Sequence, residues 1–229
     1  MRLAVALIAL ALVPAAAAQS GEQLYGAHCI TCHGPGGQGI GDRGPSLRGV
    51  GALGADFYLR TGYMPLRNPH TQPRRSRVLF TKAQLAALVS YVASLGSGPR
   101  IPTPHPGNGN LADGQELFLE HCAGCHQIDA AGGYVTNAVA PRLQDATPVE
   151  IAEAVRIGPY LMPRFPKSQI TDAQLDSIIR YVLYARHPDD RGGWSLGHVG
   201  PVPEGLITWF VGIALMVAAC VVIGRRLRS

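Results

Sequence analysis

Cys29-Ile30-Thr31-Cys32-His33 decides the reading of this chain, because the pattern returns as Cys122-Ala123-Gly124-Cys125-His126. Both stretches read C-x-x-C-H, the pattern of c-type haem attachment. On a helix the two cysteines, at i and i+3, share a face, so both thiols reach the vinyl groups of one macrocycle. The histidine at i+4 lies on the same face and can ligate the iron from below. Paired cysteines also occur as half a zinc site and as a thiol redox pair. Zinc would require two more ligands near each pair, and a redox motif has no need of a histidine directly after it. The repeated histidine points to two covalently bound haem c groups. Cys29, Cys32, Cys122 and Cys125 are then the attachment points, and His33 and His126 are iron ligands.

Outward from the motifs, the two halves align. Gly21-Glu-Gln-Leu24-Tyr25 precedes the first motif and Gly114-Gln-Glu-Leu117-Phe118 the second, each glycine eight residues before the first cysteine. Ser20 with Gln23, and Asp113 with Glu116, read as helix-capping patterns. Thr81-Lys-Ala-Gln84 matches Thr171-Asp-Ala-Gln174, again a capping box. Leu85, Leu88, Val89 and Val92 follow in one half, and Leu175, Ile178, Ile179 and Val182 in the other. That i, i+3, i+4, i+7 spacing predicts an amphipathic helix, with Tyr91 and Tyr181 in equivalent places. Each half reads as a first helix ending in C-x-x-C-H and a last helix packed across it. No strand pattern of any length is evident. The expected architecture is all-α: two tandem haem domains and one C-terminal transmembrane helix.

Met64-Pro65 and Met162-Pro163 stand at matching positions, one per half. Each follows a segment ending in Arg-x-Gly, Arg60-Thr-Gly62 and Arg156-Ile-Gly158, and Thr147-Pro148-Val149-Glu150 caps the second segment. A lone methionine reads as core filler; two at one repeat position read as sixth ligands of iron. His/Met ligation raises the reduction potential and leaves no open coordination site, which favours electron transfer over catalysis on a bound small molecule. His70, in a long loop, is the rival to Met64. His28 and His121 read as surface residues. Pro45 and Pro141 follow the motifs, where a backbone carbonyl can accept the N–H of the ligating histidine. Arg67, Arg74, Arg75 and Arg77 form a basic loop, a docking patch for an acidic partner or a solvated face.

The two ends give a location. Arg2, the apolar run from Leu3 and Ala16-Ala17-Ala18 read as a signal peptide over residues 1–18, too short to span a bilayer. Leu206 to Ile223 is 18 residues without a charge; Trp209 lies near its start and Arg225, Arg226 and Arg228 follow it. Positive residues stay inside, so the haem domains face the extracytoplasmic side of the cell membrane and the C-terminus is cytoplasmic. The expected divisions are the signal at 1–18, a first haem domain at 19–98, a Pro/Gly linker at 99–110 and a second haem domain at 111–188. A second linker at 189–205, a single-pass helix at 206–223 and a tail at 224–229 complete them. The net charge of +5 comes largely from the two ends and gives no reason to invoke nucleic acid. Residues 19–100 carry nine basic and three acidic side chains, and residues 101–205 seven and twelve, an asymmetry able to steer different partners to the two halves.

With C-x-x-C-H on its first helix, a Pro-Leu loop, a distal Met-Pro and a closing helix with Tyr, each half resembles a class I cytochrome c. The whole chain is similar to the dihaem cytochrome c subunit of the actinobacterial-type cytochrome bc complex, respiratory complex III. The most specific matches are Thr61-Gly62-Tyr-Met64-Pro65-Leu66, the run from Ala146 to Pro163, and Gly200-Pro-Val-Pro-Glu-Gly205 before the anchor. The resemblance implies an electron-transfer subunit of a quinol–cytochrome c reductase (a translocase), not catalytic by itself. It would relay single electrons from the Rieske iron–sulfur subunit, beside the cytochrome b subunit, to a terminal cytochrome c oxidase. An electron-accepting subunit of a periplasmic-side dehydrogenase would use similar haem domains. A dihaem peroxidase would need one iron without a distal ligand, against which Met64 and Met162 both argue.

Overall fold

The computed structural model describes residues 19–66, 68, 70–189 and 201–228. The signal peptide expected at 1–18, Arg67 of the basic loop and most of the second linker lie outside the described residues. The chain divides into two compact units at Ile101 and Pro102.

In the first unit, helices α1 (Gly21–His28), α2 (Ile30–His33), α3 (Gly51–Arg60) and α4 (Lys82–Ser94) enclose one core. The Ser20 hydroxyl accepts from the Gln23 N–H and the Gln23 side chain returns to the Ser20 N–H, the reciprocal box expected there. Thr81 and Gln84 do the same for α4. Helices α1 and α4 meet at Gly21, where a Cβ would overlap the Ala87 carbonyl oxygen. That contact brings Leu24 and Tyr25 onto Leu85, Leu88, Val89 and Val92, all buried. The haem motif does not ride on one continuous helix. Cys29 (φ −120°) separates α1 from α2, yet the His33 N–H still bonds the Cys29 carbonyl at 2.9 Å, so the spacing of one helical turn survives the break.

The second unit repeats this frame with α5 (Leu111–His121), α6 (Ala123–His126), α7 (Pro148–Ile157) and α8 (Asp172–Tyr184). Thr147 with Glu150, and Thr171 with Gln174, form the expected boxes. The first helix begins earlier than its sequence pattern predicts. Asn110, not Asp113, is its cap, accepting from the Ala112 and Asp113 N–H groups. Its own N–H donates to Ser177 Oγ at 3.0 Å, so docking on α8 fixes where the helix starts. Gly114, inside that helix, repeats the Gly21 contact: a Cβ would overlap the Ser177 carbonyl. A second difference is a small antiparallel hairpin, β1 (Gly133–Val135) and β2 (Ala138–Ala140), with Tyr134 opposite Val139. Its strands are three residues long, too short for alternation to register in the sequence.

The segment expected as a linker at 99–110 is tied down at both ends. The Leu53 N–H bonds the Pro99 carbonyl at 3.1 Å, within the first unit. Residues 106–108 form a 3-10 turn, and the His105 N–H bonds Asp176 Oδ1 at 2.6 Å, within the second. Helix α9 (Pro201–Arg228) also exceeds the 206–223 expected for it. Pro201 and Pro203 fall in its first turn, where backbone N–H groups lack helical partners anyway. Residues Gly205–Leu227 are long and apolar enough to cross a membrane, and Trp209 and Phe210 stand exposed on this stretch.

Candidate haem sites

In the first domain a cleft of about 370 Å³ opens between α2 and the segment after α3. Cys29, Cys32 and His33 line one part of it, and Met64, Pro65 and Leu66 another, with Leu59 and Phe80 among its apolar walls. His33 is 8% exposed, and its Nδ1 lies 2.8 Å from the Pro45 carbonyl oxygen. A carbonyl only accepts, so Nδ1 carries the proton and Nε2 the lone pair. The Met64 N–H bonds the Tyr58 carbonyl at 3.0 Å, which seats the methionine at the end of α3.

The second domain repeats these placements. His126 is 6% exposed, with Nδ1 3.0 Å from the Pro141 carbonyl. Burial pulls its pKa below the ordinary value and outweighs the opposing Pro141 bond, so the imidazole is held neutral, the form that ligates iron. Cys122 and Met162 both pack against the core built around Phe118, Phe165 and Ile178.

The thiols separate the remaining chemistries. All described cysteines are free of disulfides. Desolvation, with a smaller push from the second cysteine of each motif, raises Cys29 to about 11 and Cys122 to about 12. A redox C-x-x-C pair works through a depressed thiol pKa, the opposite of what burial imposes here. Among the described residues no three His, Cys, Asp or Glu side chains gather to hold a metal ion, which leaves a zinc reading without its further ligands. A pair of unbridged cysteines, an imidazole with a free Nε2, a thioether and apolar walls fit a covalently held iron macrocycle.

The structure thus brings together in one cleft the four first-domain residues singled out from sequence. His70 is exposed and does not line the cleft. His28 is exposed as expected, yet it borders the cleft, with its ring 5.2 Å from that of Phe80. His121 is half-buried, 5.8 Å from Phe165. Sequence reasoning missed Leu59 and Phe80 as walls. It also missed Tyr25, whose hydroxyl donates to the Gly34 carbonyl at 2.7 Å and pins the chain just after the haem motif. The signal was available in the aromatic that leads each motif, Tyr25 and Phe118.

Comparison with known proteins finds cytochrome families over both halves of the chain. A family described as Cytochrome c matches residues 18–96, and one described as Cytochrome C oxidase, cbb3-type, subunit III matches residues 109–182. The cytochrome bc1 complex cytochrome c subunit of Corynebacterium diphtheriae is 37% identical over 226 residues, covering 91% of this chain and 80% of that protein. Its counterpart from Mycobacterium bovis is 36% identical over 217 residues, covering 91% and 78%. The protein carries two covalently bound haem c groups, one per domain, and its role is electron transfer. It belongs to the family of cytochrome bc1 complex cytochrome c subunits.

Proposed function

We propose that this chain relays single electrons from the Rieske iron–sulfur protein of a cytochrome bc complex to a terminal cytochrome c oxidase, with the cytochrome b subunit as a further partner. The observation that carries the reading is the duplication: two haem sites built alike on one chain that ends in a membrane-spanning helix, collinear over 91% of its length with bc1 cytochrome c subunits. Bound haem supplies a one-electron iron couple at each site. Cys29 and Cys32, and Cys122 and Cys125, hold it by thioethers. Nε2 of His33 and of His126, and the thioether sulfurs of Met64 and Met162, would ligate its iron. The Pro45 and Pro141 carbonyls fix ring orientation and raise imidazole basicity. In the first domain, apolar walls such as Leu59 and Phe80 would limit water at the iron. With a histidine and a methionine on each iron, neither would keep an open position for a peroxide or another small substrate.

The anchor Gly205–Leu227 holds this relay at the bilayer. Arg225, Arg226 and Arg228 retain the C-terminus on the cytoplasmic side, which puts both haem domains outside. Mild-detergent capture of the tagged protein from native membranes tests the reading. Cytochrome b, a Rieske protein and oxidase subunits are expected in the eluate. Recovery of a dehydrogenase with none of these would overturn it.

A further inference from the structure

We propose that Arg156 is a positioning residue for the second haem: it clasps the segment carrying Met162 and thereby keeps that methionine on the iron. The inference rests on the reading of Met162 as an axial ligand. Arg156 lies in the last turn of α7, where the helix dipole favours a cation. Its side chain is only 9% exposed. Nη1 donates to the Phe165 carbonyl at 3.0 Å and to the Ile170 carbonyl at 2.7 Å. Nη2 donates to Asp172 Oδ1 at 2.8 Å. One guanidinium therefore ties the end of α7 to the residues just after Met162-Pro163 and to the first turn of α8.

The rest of the segment depends on that clasp. The chain reverses at Gly158 (φ +65°), where a Cβ would stand 2.6 Å from the Arg164 nitrogen and 2.8 Å from the Met162 carbonyl oxygen. The Phe165 N–H returns to the Val155 carbonyl at 2.9 Å, and the Phe165 ring is buried. Swinging Met162 away from the iron means pulling this turn off α7. The two bonds to loop carbonyls are charge-assisted and partly shielded from water, the stronger kind, while the bond to Asp172 is exposed.

The first domain shows why the role belongs to the second. Arg60 occupies the same repeat position, yet it forms a two-pronged pair with Asp56 one turn back, at 2.7 and 2.6 Å, with nearly half its side chain exposed. The residue in the Asp56 position of the second domain is Ala152, fully buried. Without a carboxylate there, the Arg156 guanidinium reaches forward to the loop carbonyls.

The test uses the full dihaem chain in detergent, with imidazole as a competing ligand for ferric iron. The two haems are resolved by electron paramagnetic resonance and assigned with Met64→Ala and Met162→Ala. In Arg156→Ala, imidazole is expected to bind the second haem about tenfold more tightly or better, as a loop that has lost its charged hydrogen bonds opens more often. The potential of that haem is expected to fall while the first haem keeps both its affinity and its potential. Arg156→Lys, which keeps the charge but not the fork, is expected to fall between wild type and Arg156→Ala, and it carries the test if Arg156→Ala fails to assemble. An affinity unchanged in both variants, or a shift shared equally by the two haems, overturns the proposal. If Met162→Ala leaves the methionine–iron absorption band of both haems intact, the ligand reading fails first, a result separate from any effect at Arg156.

Discussion

Tyr25 in the first domain and Tyr181 in the second do the same job from opposite helices. Each domain stacks an aromatic of its first helix on one of its last: Tyr25 on Tyr91 at 5.1 Å, and Phe118 on Tyr181 at 5.2 Å. In the first domain the hydroxyl that pins the chain after the haem motif comes from α1, Tyr25 to the Gly34 carbonyl. In the second, Phe118 has no hydroxyl, and Tyr181 of α8 supplies the bond, to the Ile128 carbonyl at 2.6 Å. The two arginines before the methionines diverge in the same way, one turned back to Asp56 and the other forward to loop carbonyls. The duplicated frame keeps the same motif and Met-Pro residues in both copies, while some supporting side chains, such as the pinning tyrosine, differ between them. The copies share the C-x-x-C-H motif, the carbonyl-bonded histidine and the Met-Pro pair, and differ at the hairpin 133–140, found in the second domain.

Removing the two proposed methionine ligands breaks the comparison hardest. Met64→Ala should lower the potential of the first haem alone, and Met162→Ala that of the second alone, each by on the order of 0.2 V within the ~0.8 V range that axial ligation spans. A spectroelectrochemical titration resolves the two. One variant moving both haems would show that the sites are not independent.

Next come the helix crossings. Gly21→Ala and Gly114→Ala each push a methyl into a backbone carbonyl that cannot give way. Each should cost about 3 kcal/mol, and calorimetry should show equal losses. A difference of more than about half of that would mean one crossing is looser than its copy.

The tyrosine exchange predicts a crossed pattern. Tyr25→Phe and Tyr181→Phe should each lose about 1 kcal/mol in denaturant unfolding, the usual worth of a shielded hydrogen bond. Tyr91→Phe, at the position equivalent to Tyr181, should lose less. Equal losses at Tyr91 and Tyr181 would contradict the exchange.

The smallest effect is acid-sensitive and confined to the second domain. Lys167 first, and Arg156 with it, hold the Asp172 carboxyl below its usual 3.8. The folded value is the lower one, so this stabilisation is complete above the unfolded pKa and is lost as pH falls through the folded one. With Asp172 61% exposed, it amounts to less than about 1 kcal/mol. The first domain has Lys82 at the equivalent first helical position and should show no such loss. Stability curves of wild type and Asp172→Asn, compared above and below pH ~4, measure it.

Much of this was legible in the sequence because it is periodic or duplicated. The C-x-x-C-H motifs, four of the five expected capping boxes and the Leu/Ile/Val spacing of α4 and α8 placed the frame. Repetition singled out Met64 and Met162 from ordinary core residues. What stayed hidden depends on tertiary contact. Asp113 and Glu116 satisfy the cap pattern, yet the bond to Ser177 makes Asn110 the cap, and a contact across 67 positions leaves no local mark. The hairpin is too short to show alternation. Arg156 reads as an ordinary helix-end cation until its carbonyl partners fold back upon it. Pro201 and Pro203 read as linker residues, although the first turn of a helix tolerates both.

The most direct test of the relay is stopped-flow reduction of the isolated complex by quinol, with the two haems followed separately. The account predicts that both become reduced faster than the oxidase turns over, and that Met162→Ala, which lowers one haem's potential, slows electron delivery to the oxidase. Full-speed delivery to the oxidase while either haem stays oxidised throughout would contradict it.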